Sequence, residues 1–125
     1  MANPNIVGVS VINGETETSN VSTTGTQLAH NNPSVAANRV FKVNVLSISN
    51  VDSINDADIT VAVRTDLDST PVAKHLVKTV TVPADSTLIV IDKNTSIYLK
   101  ENMDLYLTAS AANDLEAVVS YEIIS

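Results

Sequence analysis

The chain has no cysteine and no tryptophan, and its 125 residues include only one phenylalanine, three tyrosines and three glycines. Without cysteine there is no disulfide framework, no thiol chemistry and no cysteine-based zinc site. With so few aromatic rings (Phe41, Tyr98, Tyr106 and Tyr121) any core must be aliphatic and thin, and little is left to floor a sugar-binding cleft. Gly8, Gly14 and Gly25 stand too far apart for either glycine-rich phosphate fingerprint, which needs clustered glycines so that the backbone can approach the anion. Cations are scarce as well: 7 Lys and Arg against 14 Asp and Glu give a net charge of −7. Nucleic acid and anionic membranes both require a cationic footprint, so neither is expected as a partner. The longest uninterrupted apolar run, Leu88-Ile89-Val90-Ile91, falls far short of the roughly 20 residues of a membrane-spanning helix. Met1-Ala2-Asn3-Pro4-Asn5 has neither a positive charge nor an apolar stretch after it of signal-peptide type, so synthesis in a cytoplasm without secretion is the expectation.

What the chain does have is β-branched residues: 18 Val, 10 Ile and 13 Thr, which are stiff at χ1 and suit a pleated sheet. Charge divides it near residue 38. No Lys or Arg precedes Arg39, Glu15 and Glu17 are the only earlier acids, and all three glycines lie in this first part. Residues 1–38 therefore read as an extended arm with short strands, and 39–125 as the compact core. In the arm, Ile6-Val7-Gly8-Val9-Ser10-Val11-Ile12 is a strand candidate, and Asn13-Gly14 after it is a hairpin signal. In the core, Val40 to Ser49 is a strand whose alternation slips at Val45-Leu46, predicting a bulge or burial on both sides. Ile59, Val61 and Val63 alternate with polar or small neighbours, as do Leu105, Leu107 and Ala109, and Val119, Tyr121 and Ile123. Leu76, Val80 and Val82 are expected to share one face, Thr87 to Ile91 to run centrally, and Ile97 to Leu99 to form a short strand. Polar turns separate these segments, including Asp66 to Pro71, Asp92-Lys93-Asn94 and Asn113-Asp114, and one helical turn is allowed at 100–104. Seven or eight strands at this spacing, without crossover helices, predict an all-β antiparallel sandwich, jelly-roll-like, with an extended N-terminal arm.

Catalytic constellations are thin. His30 and His75 are the only possible imidazole bases, and no Gly-x-Ser-x-Gly elbow accompanies them. The bland reading of each is a structural or solvent-facing side chain, and two histidines alone make a poor zinc site. The acid-rich loop Asp52-Ser53-Ile54-Asn55-Asp56-Ala57-Asp58 is the best cation candidate, but Ile54 occupies a liganding position of an EF-hand and glycine is missing at its sixth place. The bland reading is a solvated turn with local side-chain-to-backbone bonds, and it applies equally to Asp66 and Asp68. Asn20-Val21-Ser22 and Asn94-Thr95-Ser96 match the glycosylation sequon by composition. No cofactor, no metal and no enzymatic activity are expected. Surface remains: the apolar arm residues Ile6, Val7, Val9, Val11 and Ile12, suited to adding a strand to a neighbour's sheet edge, and the outward tyrosines Tyr98 and Tyr106.

Several stretches also carry a resemblance. Val40-Phe41-Lys42, Ser49-Asn50-Val51-Asp52 and Ala57-Asp58-Ile59-Thr60 resemble small virion structural proteins of tailed bacteriophages, closest to those of marine phages of the cyanobacterial type. So do Val80-Thr81-Val82-Pro83-Ala84-Asp85-Ser86-Thr87-Leu88, Ser96-Ile97-Tyr98-Leu99, Leu115-Glu116-Ala117-Val118-Val119-Ser120-Tyr121-Glu122, and the opening Ala2-Asn3-Pro4-Asn5-Ile6-Val7. The resemblance implies a β-sandwich present in many copies on a virion assembled in a host cytoplasm. It would act first as a capsid decoration protein contacting the major capsid protein or other virion proteins. It also implies a homo-oligomer, with trimers common among such proteins. A neck or tail component and a carbohydrate-binding attachment module are the alternatives.

Overall fold

A computed structural model describes Gly8 and residues 11–125. Ile6, Val7 and Val9, and with them most of the strand expected over residues 6–12, lie outside the described residues. The described chain is built from β1 (Ile12–Asn20), β2 (Thr26–Asn31), β3 (Val40–Asn50), β4 (Ala57–Thr65), β5 (Val72–Val82), β6 (Thr87–Ile91), β7 (Ile97–Leu99), β8 (Met103–Ala109) and β9 (Leu115–Ile124). A one-turn 3-10 helix, Lys93–Thr95, separates β6 from β7 and is capped by Asp92, whose carboxylate accepts from the backbone N–H groups of Asn94 and Thr95.

Two antiparallel sheets face each other. The first has the order β1-β9-β3-β6, with β7 pairing β3 beyond the end of β6; the second has the order β2-β8-β4-β5. This is the jelly-roll arrangement of two layers, with β6 and β7 together filling one edge position of the five-stranded first sheet beside the four-stranded second. Where periodicity was cleanest, strand and buried face agree with expectation. Ile59 and Val61 of β4, Leu105 and Leu107 of β8, and Leu115 and Val119 of β9 are all wholly buried. The slip in β3 is real. Phe41 and Val43 face the core, the register against β9 shifts between Val43 and Val45, and Leu46 and Ile48 then resume the inward phase. The added residue keeps both apolar sets on one face. As the composition requires, the core is aliphatic; its one aromatic pair is Phe41 stacked on Tyr121, ring centroids 4.8 Å apart.

Five expectations need correction. Asn13-Gly14 makes no hairpin: both residues lie inside β1, opposite Ile123 and Glu122 of β9. The arm-and-core division at residue 38 is not a division in the ladders. β1 pairs with β9, β2 pairs with β8, and Val21, Leu28 and Ala29 enter the core. Thr87–Ile91 is an edge strand rather than a central one, hydrogen-bonded only to β3, and its Ile89 faces solvent. Leu76 and Val80 do not share the buried face of Val82. Register shifts against β4 and a positive φ of 48° at Thr79 rotate the strand, leaving Leu76 and Val80 exposed while Val77 turns inward. No helix forms at 100–104: Glu101 and Asn102 make a turn, and Met103 already begins β8.

Burial decides where substitutions hurt. Leu107→Ala, which empties a fully buried site between the sheets, is expected to lower unfolding free energy by about 2–5 kcal/mol. Ile54→Ala, at a side chain 83% exposed, should change it by no more than about 0.5 kcal/mol. Urea midpoints of the two variants against the parent chain check this.

Candidate functional site

Most of the polar residues that attracted attention in the sequence are occupied with holding the body together. In the acidic loop, Asp52 Oδ1 accepts from the backbone N–H of Ile54 at 2.7 Å and of Asn55 at 2.9 Å. These bonds, Asn55's first, hold the Asp52 carboxyl below its ordinary pKa. Asp56 accepts from Ala84 N at 3.1 Å, and Asp58 accepts from the Thr81 hydroxyl at 2.8 Å. Beneath them Asn50 is buried; its amide donates to the carbonyls of Asn55 and Val82 while its oxygen accepts from Asp52 N. The loop is thus a laced turn joining β3, β4 and the end of β5. Among the described residues, no three His, Cys, Asp or Glu side chains converge as a metal-holding group.

The densest polar cluster lies on the second sheet and was not legible from spacing. Asp104, wholly buried on β8, accepts from Arg64 of β4 at Nε (3.0 Å) and Nη2 (2.5 Å) and from Gln27 Nε2 of β2 (2.6 Å). The Asp104 hydrogen bonds raise the Arg64 pKa further above its ordinary value. The Arg64 guanidinium also stacks on the Tyr106 ring, 3.8 Å from its centroid, and the Tyr106 hydroxyl donates to the Thr24 carbonyl at 3.1 Å. Tyr106 is therefore held by internal contacts on both ring and hydroxyl. Gly25 makes room for it: a Cβ there would sit 1.8 Å from the Tyr106 oxygen, and its φ of +123° disfavours any other residue. Beside this cluster an open depression is lined by His30, Arg64, Asp68 and Asn102, among others.

Two residues along β2 from Gln27, Glu17 of β1 reaches between the layers. One carboxylate oxygen accepts both from the backbone N–H of Ala29 on β2 (2.9 Å) and from the Tyr121 hydroxyl on β9 (2.5 Å). Ala29 holds a positive φ of 50° at this point. Burial, and then the bond to Glu17, raise the Tyr121 pKa well above its ordinary value of 10. Glu17 fastens the edge strand of one sheet to the edge strand of the other.

The residues expected at an interface are not gathered on one face. Tyr98 sits on β7 of the first sheet, about half exposed; Tyr106 belongs to the second sheet. No shared aromatic platform exists between them. Val11 and Ile12 are placed together at the start of the β1 edge, both exposed. Ile12 lies opposite Ile124, and Val11 exchanges two backbone hydrogen bonds with Ser125. His30 lies at the end of β2 rather than in a loop, and His75 on the exposed edge strand β5.

Removing the buried carboxylate in Asp104→Ala strands Arg64 and Gln27 and should cost about 3 kcal/mol of stability, read from the urea midpoint. Tyr121 predicts an alkaline effect. Its folded pKa lies above the unfolded value, so the native state keeps a proton that the unfolded chain gives up. Its contribution is present in full below about pH 10 and is lost as pH rises above that. Tyr121→Phe should lower stability by about 1 kcal/mol at neutral pH and flatten this alkaline loss, measured as unfolding free energy against pH.

No known family model matches the chain. No curated protein matches it either. Among solved structures, it is similar to a chain from Bacillus endospore appendages, described as a novel family of disulfide-linked pili. The TM-score is 0.50 at 10% identity, over 92% of this chain and 87% of that one. It also aligns with VP2 of the infectious bursal disease virus subviral particle, with a TM-score of 0.44 at 9% identity, over 93% of this chain but only 33% of that one. At these identities the first likeness is one of fold: this chain is an all-β antiparallel sandwich of jelly-roll form.

Proposed function

We propose that this chain is a non-enzymatic structural subunit of a multi-copy assembly, and within that class a virion protein that decorates a phage capsid. The observation that carries the reading is where its chemistry has gone. The acids of the 52–58 loop, the Arg64–Asp104 pair and Glu17 are spent on internal bonds, whereas the sheet edges and the apolar residues Val11 and Ile12 are left open. A body of this kind acts by contact. Many copies bound side by side gain strength because each neighbour's contact becomes effectively intramolecular.

Two further points support it. The resemblance of the strand-and-turn stretches is to phage virion proteins. The Bacillus appendage protein of similar fold is described as a pilus family, so the same architecture serves there as a repeating unit. That family is disulfide-linked, and this chain, which has no cysteine, would have to join its neighbours by non-covalent contacts alone. The partners would be a major capsid protein or other virion proteins together with further copies of the chain, in a particle assembled in the host cytoplasm.

The test is a truncation placed by the structure. Removing residues 1–30 would take away β1, Val21 and Leu28 and would unfold the body; removing residues 1–10 leaves every described ladder in place. The shortened chain should keep the parent's cooperative unfolding transition and lose occupancy on purified particles, measured by quantitative mass spectrometry against the major capsid protein. Copy number per particle separates head decoration, with hundreds of copies, from a neck or tail position with about a dozen. A full-length chain absent from particles would refute the virion reading.

A further inference from the structure

The sandwich has four edges among the described residues, and they are not equally open. β6 and β7 share one edge, five and three residues long, broken by the capped turn at Lys93–Thr95. β2 has six residues and a register shift between Leu28 and Asn31. β5 is eleven residues long, shifts register against β4 twice, and carries Lys74, His75 and Lys78. β1 alone is both long and regular. Its nine residues pair with β9 without a shift, and the ladder continues to Val11. Short strands, bulges and charged side chains, lysine above all, are devices by which proteins stop their edges from pairing; β1 is neither short nor bulged and carries no lysine, and its only charges are Glu15 and Glu17.

Charge then selects the partner. β1 carries Glu15 and Glu17, the only charged residues before Arg39. Two β1 strands paired antiparallel about Thr16 would set Glu15 opposite Glu17. Two β5 strands would set lysines against lysines. Like charges directly opposite one another on paired strands are destabilising. β1 against β5 brings acid to base instead. Both edges also expose apolar side chains, Val11 and Ile12 on one and Val72, Leu76 and Val80 on the other. Within β5, Val72–His75 pairs with β4 without interruption and offers a regular stretch of backbone.

We propose that the β1 edge of one copy adds to the Val72–His75 edge of a second copy, joining the first sheet of one to the second sheet of the next. The proposal rests on the structural reading above and names the partner: this same chain. β1 stands beside β2 at one end of the sandwich, and β5 beside β6 at the other. After one pairing the first copy therefore keeps a free β5 edge and the second a free β1 edge. The contact is head-to-tail, and such contacts build rings or open chains rather than closed dimers.

The experiment uses the full chain in sedimentation velocity over a concentration series, with circular dichroism confirming that every variant is folded. The parent should form a graded series of oligomers that recedes as salt is raised, because exposed charge pairs are screened once the Debye length falls from about 10 Å at 0.1 M to about 3 Å at 1 M. Glu15→Lys alone should lose assembly, and so should the double variant Lys74→Glu/Lys78→Glu. An equimolar mixture of the two should regain it, since each altered edge then meets its opposite. A parent that is monomeric throughout or stops at a dimer, a variant that assembles like the parent, or a folded mixture that stays monomeric would each overturn the proposal. The two readings fail separately. A chain that loads onto particles in many copies but never self-associates in solution overturns the edge pairing and leaves the virion role standing. Salt-sensitive oligomers that the charge swaps abolish and the mixture restores support the edge pairing even if the chain is absent from particles.

Discussion

The unbroken ladder between β1 and β9 is the constraint on which the rest of the structure depends. The segment from Ile12 to Asn20 has little apolar surface of its own to bury, and nothing in its side chains would order it in isolation. Nine consecutive register pairs supply the backbone partners, and the segment becomes an edge of the first sheet. From there Val21 drops into the core, its N–H bonded to the Leu115 carbonyl, and the chain crosses to the second sheet as β2. Glu17 closes the crossing by bonding to Ala29 on one side and Tyr121 on the other. The first and last described strands thus meet at one edge, which explains why a chain with so thin a core can be a single body.

Legibility in the sequence follows burial. Strands with a buried face wrote a period of two, and β4, β8 and β9 were readable from Ile59-Val61, Leu105-Leu107 and Val119-Tyr121. Even the bulge in β3 was visible, because a misplaced residue between two inward sets disturbs the alternation. Edge strands wrote much less. β1 buries none of its side chains fully, so its composition resembled a tether, and Asn13-Gly14 resembled a turn although it runs straight through the ladder. β5 misled for another reason: its phase changes where Thr79 adopts a positive φ, which Thr-Val-Thr does not announce. The apolar run of β6 suggested a central strand, but Ile89 is apolar and exposed, and an edge strand with such a residue reads like a buried one.

The polar clusters were illegible because their partners are distant in the chain. Asp104 meets Gln27 across 77 positions and Arg64 across 40, and Glu17 meets Tyr121 across 104. Only the strand order brings them together. Gly25 is the one local hint: a glycine in a Ser-Thr segment reads as a loop residue, yet its lack of a Cβ is what admits the Tyr106 hydroxyl.

These clusters also bear on the proposed contact at the edges. A thin aliphatic core contributes less burial than an aromatic one, and an open sandwich leaves its rims without backbone partners. Here polar side chains near the rims and on the second sheet brace strand to strand: Asp104 holds β2, β4 and β8 together, Asn50 ties β3 and Asp58 ties β4 to the end of β5, and Glu17 joins β1 to β2. A carboxylate committed to a backbone N–H or a guanidinium is a poor base, nucleophile or ligand, because any new partner must first displace the old one. What the braces cannot satisfy is the outward row of backbone donors and acceptors on an edge strand. Three of the four edges blunt that row with breaks, bulges or lysines. The fourth, β1, keeps it straight and carries acidic side chains, so the same ladder that builds the body also leaves the most regular edge backbone without a strand partner among the described residues.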